Sequence, residues 1–201
     1  MEQRADHEGD RLSHIHHHVF EKATDVLKQD HRVIEKVLAV VERLAQNPRE
    51  ASLEDWKKAL DFIRGFADKC HHLKEEKILF PALEKHGIAR EGGPIGMMLV
   101  EHEEARAYVR EMVEALAHGA EDSEVRRTIL AQNARAYLHL LREHIRKEDE
   151  ILFQMADEAL SPEEQKELAQ EFEKHEAEEI GAGVHEKYLK IAEELERHSD
   201  G

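Results

Sequence analysis

Two segments of the sequence repeat the same order of potential metal ligands. One contains His71 and Glu75, the other contains His144 and Glu148, and an Ile-Leu-Phe run begins three residues after each Glu. Residues four apart on a helix project from the same face, so each segment can present an imidazole and a carboxylate to one point. Such mixed ligands suit iron, manganese or zinc. The repeat therefore predicts metal binding.

Two single histidines complete the pattern. His31 precedes His71 by 40 residues, and His102 precedes His144 by 42 residues. The chain thus reads as two helical hairpins, each with one single His and one His-x-x-x-Glu pair, and two hairpins make a pseudo-twofold four-helix bundle. The predicted metal ligands are His31, His71, Glu75, His102, His144 and Glu148.

The register within the second helix must be chosen, because His72 and Glu76 have the same spacing as His71 and Glu75. At helical offsets His71 has only apolar neighbours, whereas the corresponding neighbours of His72 are polar. These polar neighbours are Asp61, Arg64 and Asp68. We therefore predict that His71 and Glu75 face the core and that His72 lies on the solvent side.

A core that buries these carboxylates and imidazoles needs a partner that offsets the free-energy cost of their burial. A buried ionised carboxylate costs several kcal/mol unless it is paired, against a domain stability of about 5–15 kcal/mol. Two divalent ions would supply four positive charges, of which Glu75 and Glu148 neutralise two. The two positive charges that remain require a hydroxide, an oxo group or another anion between the metals. Ligation without thiolate favours iron, then manganese, over zinc, and open positions would admit water, dioxygen or nitric oxide.

Apolar residues at three- and four-residue intervals predict helices throughout. We expect helices from Thr24 to Gln46, from Ser52 to His86, from Pro94 to about His118, and from Ser123 to Leu160. A fifth begins at Ser161 and is interrupted near Gly181 and Gly183. The prediction is an all-α, up-down four-helix bundle over residues 24–160, with a polar lead-in at 1–23 and a C-terminal helical extension at 161–201 that packs on the bundle.

Composition narrows the partners. The 201 residues include 45 Asp and Glu against 29 Lys and Arg, a net charge of −16, which disfavours nucleic acid and anionic membranes as partners. Cys70 is the one cysteine, and we see no secretory leader or membrane-spanning run, so we expect a cytoplasmic protein. Both a monomer and a homodimer fit the sequence.

At these residues the sequence resembles the hemerythrin family, most closely its bacterial His-His-Glu (HHE) cation-binding domains. Over residues 24–160 the resemblance is carried by the following segments: Asp30-His31-Arg32, His71-x-x-x-Glu75 through Pro81, Glu101-His102, and His144-x-x-x-Glu148 through Phe153. It implies two non-haem iron ions joined by an oxo or hydroxo bridge, with the four histidines as terminal ligands and Glu75 and Glu148 as bridging ligands.

The resemblance also implies a function. Members bind or sense oxygen, handle iron, or respond to oxidative and nitrosative stress, so dioxygen, nitric oxide or peroxide is the expected ligand. Oxygen carriers repeat a His four residues after the third-helix ligand, and here that position holds Arg106, which disfavours reversible oxygen carriage. We therefore interpret the protein as a metal and small-ligand binding protein rather than a dedicated enzyme.

Three other classes are less consistent with the sequence. A ferritin-like iron store or ferroxidase needs Glu-x-x-His, which none of the 16 His provides. The His-Glu-x-x-His motif of one class of zinc hydrolases is absent from the sequence. A helical scaffold without metal would not explain why the potential ligands lie on the apolar faces of the helices. Whether the extension brings His175, Glu179 or His185 to the site stays open.

Overall fold

The computed structural model describes residues 22–117 and 123–199, and all regular structure in these two ranges is helical. Six helices follow one another: α1 (Ala23–Gln46), α2 (residues 53–85), α3 (Pro94–Ala117), α4 (residues 123–159), α5 (residues 162–180) and α6 (Val184–Ser199). The predicted all-α fold is confirmed. The predicted lead-in at 1–23 falls almost entirely outside the described residues.

Three of the helices contain wider, π-helical turns. Helix α2 is π-helical over Ile63–His72 and Glu75–Leu79, α4 over Glu148–Leu152, and α5 over Glu176–Ile180. Such turns are rare in proteins overall, but those that occur often lie at functional sites. In both α2 and α4 a π-helical segment begins at the Glu of the His-x-x-x-Glu pair, so the two halves of the repeat share this local geometry.

Helix ends follow the signals in the sequence. The Ser52 hydroxyl accepts a hydrogen bond from the Asp55 backbone N–H at the start of α2. Ser161 and Glu164 form a reciprocal capping box at the start of α5, which satisfies N–H groups that the first turn leaves free. Gly181, with φ of 109°, ends α5 in a conformation that other residues rarely adopt.

Helices α1 to α4 form the bundle, and its interior is layered. One apolar cluster contains Trp56, Phe62 and Phe66, and a second contains Phe80 and Phe153. On each of the four helices the buried His and Glu residues lie where positions of the first cluster give way to positions of the second. His31, for example, lies between Leu27 and Ile34, which belong to different clusters. A polar layer thus separates two apolar ones.

The C-terminal helices cover one side of this bundle. Helix α5 packs on α1 and on the later part of α2, and α6 packs on α1 and on the earlier part of α2. Lys36 of α1 pairs with Glu196 of α6 at 3.2 Å. Helices α3 and α4 face the opposite side, so the extension makes the two halves of the pseudo-symmetric bundle unequal.

Among the helices described, none combines the length and the apolar composition that crossing a lipid bilayer requires.

Candidate metal centre

All six sequence-predicted ligands meet in the polar layer between the two apolar clusters. None of them is more than 1 % exposed. His31 and His71 form one group with Glu75 and Glu148, and His102 and His144 form a second group with the same two carboxylates. Within each group one donor atom per residue lies within 4.8 Å of the others. The structure therefore supplies two adjoining ligand groups that share both carboxylates.

The imidazoles approach one another in pairs through their Nε2 atoms. These atoms are 3.0 Å apart between His31 and His71, and 3.1 Å apart between His102 and His144. Each histidine pair comes from two different helices, α1 with α2 and α3 with α4. Four Nε2 atoms thus converge, as two neighbouring metal ions would require of terminal ligands.

The two glutamates each span both histidine pairs. Glu148 lies 3.2 Å from the Nε2 atoms of His31 and of His144, one through each carboxylate oxygen. Glu75 lies 3.6 Å from the Nε2 of His71 and 3.4 Å from that of His102, again through different oxygens. Each carboxylate therefore lies where it could bridge two metal ions, one beside each histidine pair.

Each imidazole is held from behind by a further carboxylate on its Nδ1 atom. Two of these carboxylates, Asp30 and Glu101, lie just before a single histidine and bind the other histidine of the same half. The other two, Glu76 and Asp149, lie just after the inner glutamates and bind the single histidine of the opposite half. The Nδ1 pairs are His31 with Asp149 (2.7 Å), His71 with Asp30 (3.3 Å), His102 with Glu76 (2.7 Å) and His144 with Glu101 (2.9 Å). Such partners fix the tautomer that leaves Nε2 free for a metal.

These outer carboxylates are themselves paired with basic residues. Lys74 donates to Asp30 at 2.7 Å, and Arg106 donates to Glu76 at 2.7 Å. The remaining two ion pairs are Lys147 with Glu101 and Arg32 with Asp149. The outer shell is therefore neutral by formal charge, which leaves Glu75 and Glu148 as the uncompensated acids of the centre.

The inner glutamates provide the test of whether metal ions fit. All four carboxylate oxygens of Glu75 and Glu148 are buried and make no hydrogen bond. Burial, together with the adjacent Glu148, raises the pKa of Glu75 well above its ordinary value. Burial lowers the pKa of His71 to about 3, so this imidazole is neutral and its lone pair is available. Imidazole Nε2 atoms beside buried carboxylates that make no hydrogen bond suit cations, so the residues present fit a pair of metal ions.

Comparison with known proteins agrees with this geometry. The family described as the Hemerythrin HHE cation binding domain matches residues 22–156, which is more than half of the chain. The chain belongs to the hemerythrin HHE family. Uncharacterized proteins of Mycobacterium tuberculosis and Mycobacterium bovis are 25% identical over 175 residues, covering 85% of this chain and 68% of theirs. No solved structure matches the chain significantly.

Membership of the HHE family supports cation binding by this domain, and the buried His and Glu groups are where the chain offers ligands for it. The family match ends at residue 156, so it covers the four-helix bundle and leaves the C-terminal helices α5 and α6 outside.

One sequence-based placement in the HHE bundle was wrong. His72 is not on the solvent side but 3 % exposed, with its ring stacked on that of His102 at a centroid distance of 4.0 Å. Two features explain the error. The π-helical turns of Ile63–His72 place residues differently from the α-helical offsets we used, and Arg106 of α3 covers this face by binding Asp68 at 2.7 Å.

His72 is the functional candidate that the sequence analysis missed. It forms a third buried group of potential ligands with His102 and His144, and its Nδ1 atom has no hydrogen-bond partner. Asp68 Oδ1 lies 3.7 Å from that Nδ1 atom. The adjacent histidines at 71 and 72 were a signal, but helical phasing alone assigned only one of them to the core.

Arg106 does not point an unpaired guanidinium into the HHE site. Its three nitrogens bind Asp68, Glu76 and Glu103, each at 2.7 Å. Arg106 thus occupies the position at which the oxygen carriers have a further histidine. Its positive charge orients Glu76, and Glu76 in turn orients His102.

None of the three residues of the C-terminal extension that the sequence left undecided joins the ligand groups of the bundle centre. His175 is buried but belongs to none of the ligand groups found among the described residues, and Glu179 is exposed. His185 joins Cys70 and Glu176 in a separate cluster. The extension reaches the centre only indirectly, because Glu176 binds Lys74, which binds Asp30.

Proposed function

We propose that this protein is a non-haem di-iron protein that binds, senses or reduces a small ligand such as dioxygen, nitric oxide or peroxide. A role in oxidative or nitrosative stress, or in iron handling, would follow from such chemistry. One observation carries the proposal: the four carboxylate oxygens of Glu75 and Glu148 are buried without hydrogen-bond partners between two pairs of imidazoles.

The charge of the centre favours an anionic or electron-rich ligand. The outer carboxylates are balanced by Lys and Arg, so only Glu75 and Glu148 offset the charge of bound ions. Two divalent or trivalent ions exceed those two negative charges, and the excess positive charge must be met by an exogenous anion or by a ligand that donates electron density. When bound, a pair of iron ions supplies Lewis acidity and one-electron redox chemistry.

The protein contributes orientation and exclusion of water. The four Nδ1 hydrogen bonds hold the imidazoles with Nε2 inward, and the rings of Phe153 and Phe80 stack on His31 and His102 at centroid distances of 5.5 Å and 6.0 Å. These phenyl rings belong to the apolar cluster on one side of the polar layer. A dry site on that side strengthens the electrostatic interactions within it.

Access is more open on the other side. A cleft of about 170 Å³ is lined by Asp68, His72, Arg106 and Tyr137, among others, and so leads to the imidazole stacked on His102. Pockets for drug-sized ligands measure about 300–1,000 Å³, whereas one water takes about 30 Å³. The cleft therefore suits a diatomic molecule or peroxide better than a larger metabolite.

Reversible oxygen carriage is not part of the proposal. The position one helical turn after His102 holds Arg106, whose side chain binds carboxylates instead of supplying an imidazole. One ion would then have fewer protein ligands than in an oxygen carrier, which favours oxidation of the centre over storage of dioxygen.

The experiment is to reduce the iron-loaded protein without oxygen and to add dioxygen, nitric oxide and peroxide separately while recording absorption spectra by stopped flow. We expect rapid oxidation by dioxygen or peroxide, or formation of a nitrosyl spectrum. Reversible uptake and release of dioxygen under vacuum cycling would contradict the proposal and return oxygen carriage to first place. A reduced centre that responds to none of the three would also contradict it.

A further inference from the structure

One further group of potential metal ligands lies outside the bundle centre, where the C-terminal helices meet α2. Cys70 of α2, Glu176 of α5 and His185 of α6 form it. The Cys70 Sγ lies 3.3 Å from Glu176 Oε1 and 3.9 Å from His185 Nδ1, and that Nδ1 lies 3.5 Å from Glu176 Oε2. Three residues far apart in sequence therefore present a sulfur, an oxygen and a nitrogen to one point.

We propose that Cys70, Glu176 and His185 bind one zinc ion, with water as the fourth ligand. Zinc bonds of about 2.0–2.3 Å in tetrahedral geometry place neighbouring donor atoms about 3.3–3.6 Å apart. The three observed separations match this spacing within a few tenths of an ångström. A mixed thiolate, imidazole and carboxylate set suits zinc, whereas the bundle centre has no thiolate and suits iron.

The charges around the cluster also fit a divalent cation. Lys74 lies between Glu176 and Asp30 and donates to both, at 2.5 Å and 2.7 Å, so its positive charge offsets one of the two carboxylates. Burial raises the pKa of the Cys70 thiol, so a zinc ion would displace the thiol proton to solvent when it binds. Cys70, Glu176, Asp30 and Lys74 would then carry a net charge of two negative charges, which one divalent ion neutralises. The lysine hydrogen bond also holds the Glu176 carboxylate in place, as supporting residues do at metal sites.

The site has one open direction. Cys70 is 1 % exposed, but the side chains of Glu176 and His185 are 23 % and 30 % exposed. A zinc ion can therefore enter from the solvent side and keep a water ligand there. Sites with three protein ligands and a water are those in which zinc can also exchange or act on a substrate.

Among the described residues of the other half of the pseudo-symmetric bundle, no cluster corresponds to this one. Cys70 precedes His71, and the equivalent residue before His144 is Glu143, which is half exposed and binds Arg146. Two of the three ligands come from α5 and α6, which pack mainly on α1 and α2. The site therefore acts as a clamp that holds the C-terminal helices against the bundle.

The test uses cobalt(II) as a spectroscopic substitute for zinc in the full-length protein already loaded with iron. A thiolate ligand gives a sulfur-to-cobalt charge-transfer band in the near ultraviolet, which no group in the bundle centre can produce. We expect one equivalent of cobalt to generate this band and one equivalent of zinc to abolish it. No band in the wild-type protein would overturn the proposal, whatever the iron content.

Three variants test which residues bind the ion that gives the cobalt charge-transfer band. Cys70→Ser should remove it, and His185→Gln should weaken zinc binding by at least about 100-fold, since even residues that only orient ligands cost about 10–100-fold. His198→Gln, on the same helix but 57 % exposed, should bind zinc like the wild type. A band that persists in Cys70→Ser, or equal loss in His198→Gln, would overturn the assignment. Iron content and circular dichroism of each variant show that the fold is retained.

Discussion

Lys74 and Lys147 occupy equivalent positions in the two halves of the bundle, but only Lys74 is sealed from solvent. Each donates to the carboxylate that holds a core imidazole, Asp30 for Lys74 and Glu101 for Lys147. The Lys74 side chain is 0 % exposed and the Lys147 side chain 23 %. Glu176 of the C-terminal extension covers Lys74. The extension therefore makes the two ends of a nearly symmetric centre chemically different.

The outer carboxylates should tune metal affinity without binding metal. Glu76→Gln removes the charge that holds His102 Nδ1 at 2.7 Å, so we expect one ion to bind about 10–100-fold more weakly. Glu103→Gln is the matched control, because Glu103 binds the same Arg106 but is 69 % exposed and is not a hydrogen-bond partner of the His102 imidazole. Competition with an iron chelator measures both affinities. Equal affinities in Glu76→Gln and the wild type would contradict the role of Glu76.

The two adjacent histidines of α2 should differ in their effect. His71→Ala removes an Nε2 that lies 3.0 Å from that of His31, so we expect a sharp loss of iron. His72→Ala should keep the iron, because His72 is outside the two groups that contain the glutamates, but it should change the spectrum of the ion beside His102. Elemental analysis and Mössbauer spectra check this. Loss of iron in His72→Ala alone would show that His72, not His71, is the ligand.

Much of the centre could be predicted from the sequence because metal ligation constrains spacing strongly. The His-x-x-x-Glu pairs and the two single histidines were enough to find all six residues that converge, and capping residues such as Ser161 gave the helix ends. His72 was misplaced because π-helical turns are not visible in a periodicity of 3.6 residues. The Nδ1 partners, such as Asp30 for His71, come from a neighbouring helix, so they depend on how the helices pack and could not be read from one helix.

Docking of α6 should depend on Gly65, because the Tyr188 ring of α6 occupies the space beside its Cα atom. A Cβ atom at Gly65 would lie 1.8 Å from the Tyr188 hydroxyl oxygen, far inside contact distance. Gly65→Ala should therefore lower the free energy of unfolding by about 1–3 kcal/mol, as overpacking does. The added substitution Tyr188→Ala should recover part of this loss. Urea denaturation measures both, and a Gly65→Ala protein as stable as the wild type would contradict the close packing.

The iron-free protein should lose stability as the pH rises. Burial opposes charging of His144, but Glu148 and Glu101 outweigh it and raise its pKa to about 9. Because the folded pKa lies above the ordinary 6.5, the stabilisation is complete below pH 6.5 and is lost as the pH rises toward 9. We expect a loss of about 2–4 kcal/mol over this range.

Urea denaturation at pH 6.5 and pH 9 measures this loss, with the iron-loaded protein and His144→Gln as comparisons. The loss should be absent with iron bound, since a metal-bound imidazole does not take up a proton, and smaller in His144→Gln. An iron-free wild type equally stable at both pH values would show that His144 does not carry a proton in the metal-free centre.

Iron content per chain is the sharpest test of whether Glu75 and Glu148 bridge a pair of iron ions. We predict about two iron ions in the wild-type protein, as a shared four-His, two-carboxylate centre requires, and almost none in Glu75→Gln/Glu148→Gln. The matched control Glu143→Gln/Glu150→Gln, whose side chains are 51 % and 60 % exposed, should keep both ions. A wild type without iron, or a Glu75→Gln/Glu148→Gln protein that retains two ions, would contradict the account.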